Sequence, residues 1–152
     1  MHVYLQNHPL AHVSSARMYQ KRIDKDNVSR CANLAASKAL EKLIQKLELE
    51  EDSLEILLDG SLYLGDKNHG RLKTRTIIKG DEKKVSIKLA SIIAKVTRDE
   101  YMERLHLKYP QYDLLTHKGY GTEKHFKALR KHGIADIHRL TYLQRYPNLK
   151  LV

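Results

Sequence analysis

Residues Val85 to Val96 constrain the fold more than any other part of the chain. Val85, Ile87, Leu89, Ala90, Ile92, Ile93, Ala94 and Val96 cover almost every angle of a helical wheel with apolar side chains. A helix patterned in this way is expected to be buried on most sides, so it needs neighbours around it. Ala90, Ser91 and Ala94 are small enough to let one neighbour come close. The helix is expected to continue to Tyr109 and to stop at Pro110, whose ring and missing N–H cannot extend it.

The rest of the chain supplies candidate neighbours. Asp24 to Asn27 offers N-cap residues, and Leu34, Ala35, Leu40, Leu43, Ile44 and Leu47 then recur at helical spacing up to the acidic segment Glu48–Asp52. Leu54 to Leu58 is a short apolar run closed by Asp59-Gly60, the pattern of a buried strand in a mainly parallel sheet. Thr76-Ile77-Ile78 reads as another short strand, closed by Gly80. His2 to Val13 reads as a weak strand interrupted by Pro9. Ser61 to Lys73 and Gln111 to Gly121 read as polar, glycine-bearing loops, and Glu123 to His132 as a short basic helix ended by Gly133. Strands alternating with helices, with no repeat and no long linker, indicate a single α/β domain.

The charge of the chain narrows its partners. The net charge is +10 over 152 residues. Residues 1–60 carry a net −1 and residues 61–152 a net +11. A basic field gathered on one part of a chain suits a polyanion, nucleic acid above all. The single Cys31 excludes a disulfide framework and a cysteine zinc cluster, suits a reducing compartment, and reads as a core thiol. The nine His show no His-Glu-x-x-His spacing, so there is no case for zinc. No signal peptide or membrane-spanning stretch is expected, which points to the cytoplasm.

Several residues could carry chemistry. Asp59 stands at the carboxyl end of a strand, where α/β sheets bind ligands, although Asp-Gly is also a common turn. Asp99 shares a helix face with Lys95, and the two could equally form a surface ion pair. In His117-Lys118-Gly119-Tyr120-Gly121-Thr122, two glycines let the backbone approach a ligand, Lys118 and the N–H groups could hold phosphate, and Tyr120 could stack on a sugar or base. His138-Arg139 could touch phosphate or cap a helix, and His125 reads as a surface or packing residue.

Taken in order, these strings resemble ribonuclease HII, the type 2 ribonuclease H family. They are Ile23-Asp24 to Asn27, Leu57-Leu58-Asp59-Gly60, Ile77-Ile78-Lys79-Gly80-Asp81, Ser86-Ile87, Ala90-Ser91-Ile92-Ile93-Ala94-Lys95-Val96-Thr97-Arg98-Asp99, Tyr109-Pro110, His117-Lys118-Gly119-Tyr120-Gly121-Thr122 with His125, and Ile137-His138-Arg139. The resemblance implies a ribonuclease H-like α/β fold with a reduced sheet flanked by helices. It makes residues 1–152 one domain and residues 110–152 a helical and irregular substrate-binding part. It also implies an endonuclease that cuts the RNA strand of RNA–DNA hybrids and nicks duplex DNA at embedded ribonucleotides. The family uses four carboxylates with Mg²⁺ or Mn²⁺; the resemblance matches Asp59 and Asp99 to two of them and Tyr120 to a sugar-sensing tyrosine. Lys118, Gly119, Thr122 and Arg139 become nucleic-acid contacts on the same reading.

One departure stands beside the match. The family's other two carboxylates lie in an Asp-Glu-x-Gly-Arg-Gly motif, which occurs nowhere in the 152 residues. The expectation is a chain that begins about a third of the way into the family fold, with an N-terminal segment acting in trans as a further partner. Two carboxylates should hold Mg²⁺ weakly, so the chain alone should have little nuclease activity. A strand ending at Asp59 with an unpaired edge should make it aggregation-prone or partner-seeking. The competing readings are a catalytically inactive basic nucleic-acid-binding remnant and a plain α/β domain with a basic surface.

Overall fold

The computed structural model describes residues 8, 9, 11–64 and 72–146. Of the weak strand expected over His2–Val13, residues 2–7 and 10 lie outside the described residues, and residues 11–13 form no strand. Most of the expected loop over 61–73 also lies outside them, at 65–71.

Helix α1 (Gln20–Asp26) and helix α2 (Val28–Leu47) are separated by Asn27, whose backbone has a positive φ of 64°. The Asn27 side-chain oxygen accepts the N–H of Arg30 at 3.0 Å, satisfying one of the free donors at the start of α2. Asp26 is buried there and ion-paired with Arg22 and Arg30. Cys31 is a buried free thiol, as expected of a core residue. Glu48, in left-handed conformation, ends α2 at the start of the acidic segment.

Strand β1 (Glu55–Asp59) pairs in parallel with β2 (Lys73–Ile77), with Asp59 opposite Ile77. The ladder runs one step further, because the Gly60 N–H donates to the Ile77 carbonyl at 3.1 Å. Among the described residues the sheet has these two strands, so β1 has one unpaired edge. After β2 come α3 (Gly80–Lys83), the long α4 (Val85–Lys108) and a 3₁₀ turn, Pro110–Tyr112. Short α5 (Leu114–His117), α6 (Glu123–His132) and α7 (Leu140–Leu143) complete the chain. The mixed helix-rich fold with a small parallel sheet is the reduced α/β architecture expected.

Helix α4 ends before Pro110 as its sequence requires, but it is not buried on most sides. Ile87, Ile93 and Met102 are buried, whereas Val85 is 74% exposed and Ala90, Ala94 and Leu107 are also exposed. The described elements that pack on α4 (β1, α3, the 3₁₀ turn and α5) leave those positions uncovered. Apolar patterning records what a helix can bury, and the neighbours present decide how much it does bury. Among the described residues no helix is long and apolar enough to cross a membrane.

The C-terminal part has its own hydrophobic cluster of Tyr112, Leu114, Leu129 and Leu143, with Leu105, Tyr109, Phe126 and Ile137 packed against it. It is tied to the N-terminal helices by Asp24 on α1. One carboxylate oxygen of Asp24 accepts the Leu140 N–H at 2.8 Å, and the other accepts the Thr141 N–H at 3.2 Å and the Thr141 hydroxyl. Asp24 thus caps α7 from more than a hundred residues away. Burial pushes its carboxyl upward, but the bonds from Thr141 and Leu140 and the nearby Arg139 outweigh burial and leave it below the usual value. Replacing Asp24 with Ala should cost about 1 kcal/mol in urea unfolding at pH 7, the usual worth of a helix cap. A depressed carboxylate stabilises above its unfolded pKa and loses that contribution as pH falls, so the difference between the two proteins should shrink toward pH 3. Equal urea midpoints at pH 7 would show that the cap carries no stability.

Candidate active site and nucleic-acid interface

Parallel pairing brings the carboxyl ends of β1 and β2 side by side. Asp59 ends β1 and is half-buried. Its Oδ1 accepts the backbone N–H of Gly80 at 2.7 Å, which fixes the carboxylate and leaves Oδ2 free of that bond. Gly80 is buried and has no room for a side chain. A Cβ there would lie 2.6 Å from the Ile87 Cδ1 and 3.1 Å from the Asp59 Oδ1. The residue after Gly80 is Asp81, half-buried in the first turn of α3. Asp59 is thus bonded to the residue that precedes a second acidic residue, Asp81, just beyond the end of the sheet.

Asp99 is not brought to this place. Ile87, in the first turn of α4, reaches the Gly80 position beside Asp59, and Asp99 lies twelve residues further along the same helix. That separation is about 18 Å of helical rise. The position rule that singles out Asp59 applies equally to Asp81, which follows the neighbouring strand. In the sequence Asp81 stands three residues beyond its apolar strand core, so its place beside the sheet end is not marked as that of Asp59 is.

The fit of a divalent cation can be judged from these donors. Asp59 and Asp81 are hard oxygen ligands of the kind Mg²⁺ and Mn²⁺ take. Among the described residues no group of three or more His, Cys, Asp or Glu gathers to hold a metal. One or two carboxylates, completed by water and substrate phosphate, are a common way of holding a hard divalent cation, and the donor chemistry of Asp59 and Asp81 suits it.

The 117–122 loop lies on the C-terminal half of α4. The Arg98 guanidinium donates to the Lys118 carbonyl at 3.1 Å and stands 5.9 Å over the Tyr120 ring. The Met102 sulfur lies 3.7 Å from where a Gly119 Cβ would be, and the φ of +81° at Gly119 favours glycine independently. The Lys118 ammonium meets Glu103 at 3.5 Å, an exposed pair that a phosphate can displace at little cost. Tyr120 is 67% exposed, so its ring is open to a ligand. The Thr122 hydroxyl accepts the His125 N–H at 3.3 Å and caps α6, a structural task beside the contact expected of it. Arg139 is half-buried and stands 5.2 Å over the Tyr142 ring.

Three histidines hold this loop from below. His117, His125 and His138 are all buried. Ring centroids lie 4.4 Å apart for His117–His125 and 5.4 Å apart for His125–His138. The His117 Nδ1 accepts the Gly119 N–H at 3.2 Å, so its Nε2–H donates to the Tyr112 carbonyl at 2.7 Å. The His125 Nδ1–H donates to the Tyr120 carbonyl at 3.0 Å. His125 is therefore a packing residue and not a surface one. The His138 ring stands 4.7 Å from Tyr112, with Nδ1 against Ala135, so it is packed away from any phosphate. Nothing in the spacing of these three residues announced the stack.

These features define an α/β domain with a fixed carboxylate, Asp59, at a strand end, bonded to the turn that carries Asp81, and a basic, glycine-bearing loop presenting a tyrosine. A model of the family described as ribonuclease HII matches residues 2–146. The chain is similar to the ribonuclease HII of Acetivibrio thermocellus, 41% identical over 127 residues covering 84% of the chain and 46% of that relative. It is 40% identical to that of Caldicellulosiruptor bescii over 136 residues, covering 90% of the chain and 61% of the relative. It is 44% identical to that of Endomicrobium trichonymphae over 121 residues, covering 79% and 53%. The chain belongs to the ribonuclease HII family. It spans about half the length of the curated relatives it matches.

Proposed function

We propose that the chain serves hydrolysis of the RNA strand in RNA–DNA hybrids and of ribonucleotides embedded in duplex DNA, in the cytoplasm. The observation that carries this reading is the pairing of Asp59 with Gly80-Asp81 at the ends of two parallel strands, in a chain whose excess positive charge lies after residue 60. Asp59 and Asp81 would hold the divalent cation, with Mg²⁺ or Mn²⁺ as the candidates. A bound cation of this kind supplies an activated water and a counter-charge for the leaving 3′ oxygen. The Gly80 N–H keeps the Asp59 carboxylate oriented. Lys118, Arg139 and the Gly119 backbone would take phosphates, and Tyr120 would lie against the sugar, where the 2′-OH distinguishes RNA from DNA.

Two carboxylates make a weak seat, so the chain alone should nick a single-ribonucleotide duplex poorly. Activity should rise when a segment bearing the Asp-Glu-x-Gly-Arg-Gly motif is supplied in trans. Asp59→Asn and Asp81→Asn should each lower that activity on the order of a hundredfold or more, as loss of a metal ligand does. Mn²⁺ binding to the chain, followed by calorimetry, should weaken in the same two variants and stay unchanged in Asp99→Asn. Mn²⁺ affinity lost in Asp99→Asn but kept in Asp81→Asn would overturn this assignment. Steeply salt-dependent hybrid binding with no cleavage under any condition would favour the inactive binding remnant.

A further inference from the structure

We propose that Tyr146 and Tyr142, next to the 117–122 loop, form a stacking platform for an unpaired base of a nucleic-acid strand that runs past Tyr120. The proposal rests on the proposed nucleic-acid function but not on cleavage.

Three aromatic rings pack together here, next to the loop that carries a fourth, Tyr120, and an arginine stands over each of two of the four. The Tyr146 ring lies 4.7 Å from Phe126 and 5.5 Å from Tyr142, and the two tyrosine hydroxyls are 3.2 Å apart. The Tyr142 hydroxyl would be 2.7 Å from a Cβ at Gly121, so this cluster abuts the loop that presents Tyr120. Packing alone would bury such rings, yet Tyr146 is 38% exposed and Tyr120 is left open. Arg98 stands over Tyr120 and Arg139 over Tyr142, while Arg145 is exposed beside them. The acidic groups nearby are already engaged, Glu123 by Arg130 and Asp24 by the α7 N–H groups next to Arg139.

Exposed rings interleaved with guanidinium groups are how sequence-tolerant binders hold single strands. The rings take base faces and the cations take phosphates. A duplex keeps its bases stacked inside and has none to offer Tyr146, so the fitting ligand is a strand that leaves the duplex unpaired. A protein docking on the same patch would want acidic groups opposite these arginines, and would not distinguish tailed from blunt nucleic acid.

The test compares the full chain's affinity for a blunt RNA–DNA hybrid with its affinity for the same hybrid carrying a single-stranded DNA tail at either end, at fixed salt. A tail of one polarity should tighten binding about tenfold, the order that one base stacked on a ring supplies. Tyr146→Ala should abolish the tailed-to-blunt ratio, and Tyr146→Phe, which keeps the ring, should preserve it. A ratio near one for both tails in the unaltered chain, or an undiminished ratio in Tyr146→Ala, would overturn the platform. Failure to bind blunt hybrid with retained binding of the free tail strand would instead overturn the hybrid reading and leave the platform standing.

Discussion

Lowering the pH from 7 to 4 should remove on the order of 3 kcal/mol of stability through His125 alone. Burial drives the His125 imidazole from its ordinary 6.5 down to about 4, against the upward pull of its bond to the Tyr120 carbonyl and with a smaller push from His117 and His138. Burial lowers His138 as well, against its contact with the Ala135 carbonyl. The folded chain thus keeps both rings neutral where the unfolded chain takes up protons. The resulting stability is complete above pH 6.5 and is lost progressively as pH falls toward 4. The Nε2 atoms of His125 and His138 are buried without a hydrogen-bond partner, so a proton added at His125 would bring an unpaired charge into the cluster. Urea midpoints measured from pH 7 to pH 4.5 would show the slope. His125→Asn keeps a donor for the Tyr120 carbonyl and removes the titration, so its slope should be shallower. Identical slopes would exclude His125 as the source. The His117 and His125 rings hold Gly119 and Tyr120, so affinity for hybrid should fall over the same pH range.

How much of the structure is legible in the sequence depends on how local each cause is. Helix α2 starts at an Asn cap and α4 stops at Pro110, both local signals, and both ends were readable. The strand at Leu57-Leu58 announces itself by its apolar run, and Asp59 by its place at the end of that run. Strand β2 starts three residues earlier than its apolar Thr76-Ile77-Ile78 core suggests. Lys73, Thr74, Arg75 and Thr76 are all exposed, so no buried alternation marks them and the pairing with β1 defines the strand. Asp81 depends on the same pairing, since the Gly80 N–H before it reaches Asp59 only when the two strands lie side by side. Asp99 looked equivalent because it stands in a matching string, but helical rise carries it away. The histidine stack and the Asp24 cap assemble from residues far apart in the chain, beyond the reach of any local pattern.

The largest single loss of stability should come from Leu129→Ala. Leu129 is fully buried, at 0% exposure, within the cluster of Tyr112, Leu114 and Leu143. Truncating a leucine so enclosed costs about 2–5 kcal/mol, from lost transfer energy and from the cavity left behind. A domain of ordinary stability has about 5–15 kcal/mol in total, so the variant should melt well below the unaltered chain. The consequence for binding is specific. Leu129 lies one helical turn after His125 on α6, and Tyr112 of the same cluster carries the carbonyl that holds His117. Loosening this core therefore loosens both rings that support the 117–122 loop, while Asp59 and Gly80 pack elsewhere, against Ile87. In Leu129→Ala, hybrid affinity should fall well before Mn²⁺ affinity as temperature rises. Loss of both at one temperature would mean that the two halves unfold as one unit and that the C-terminal core does not support the loop independently.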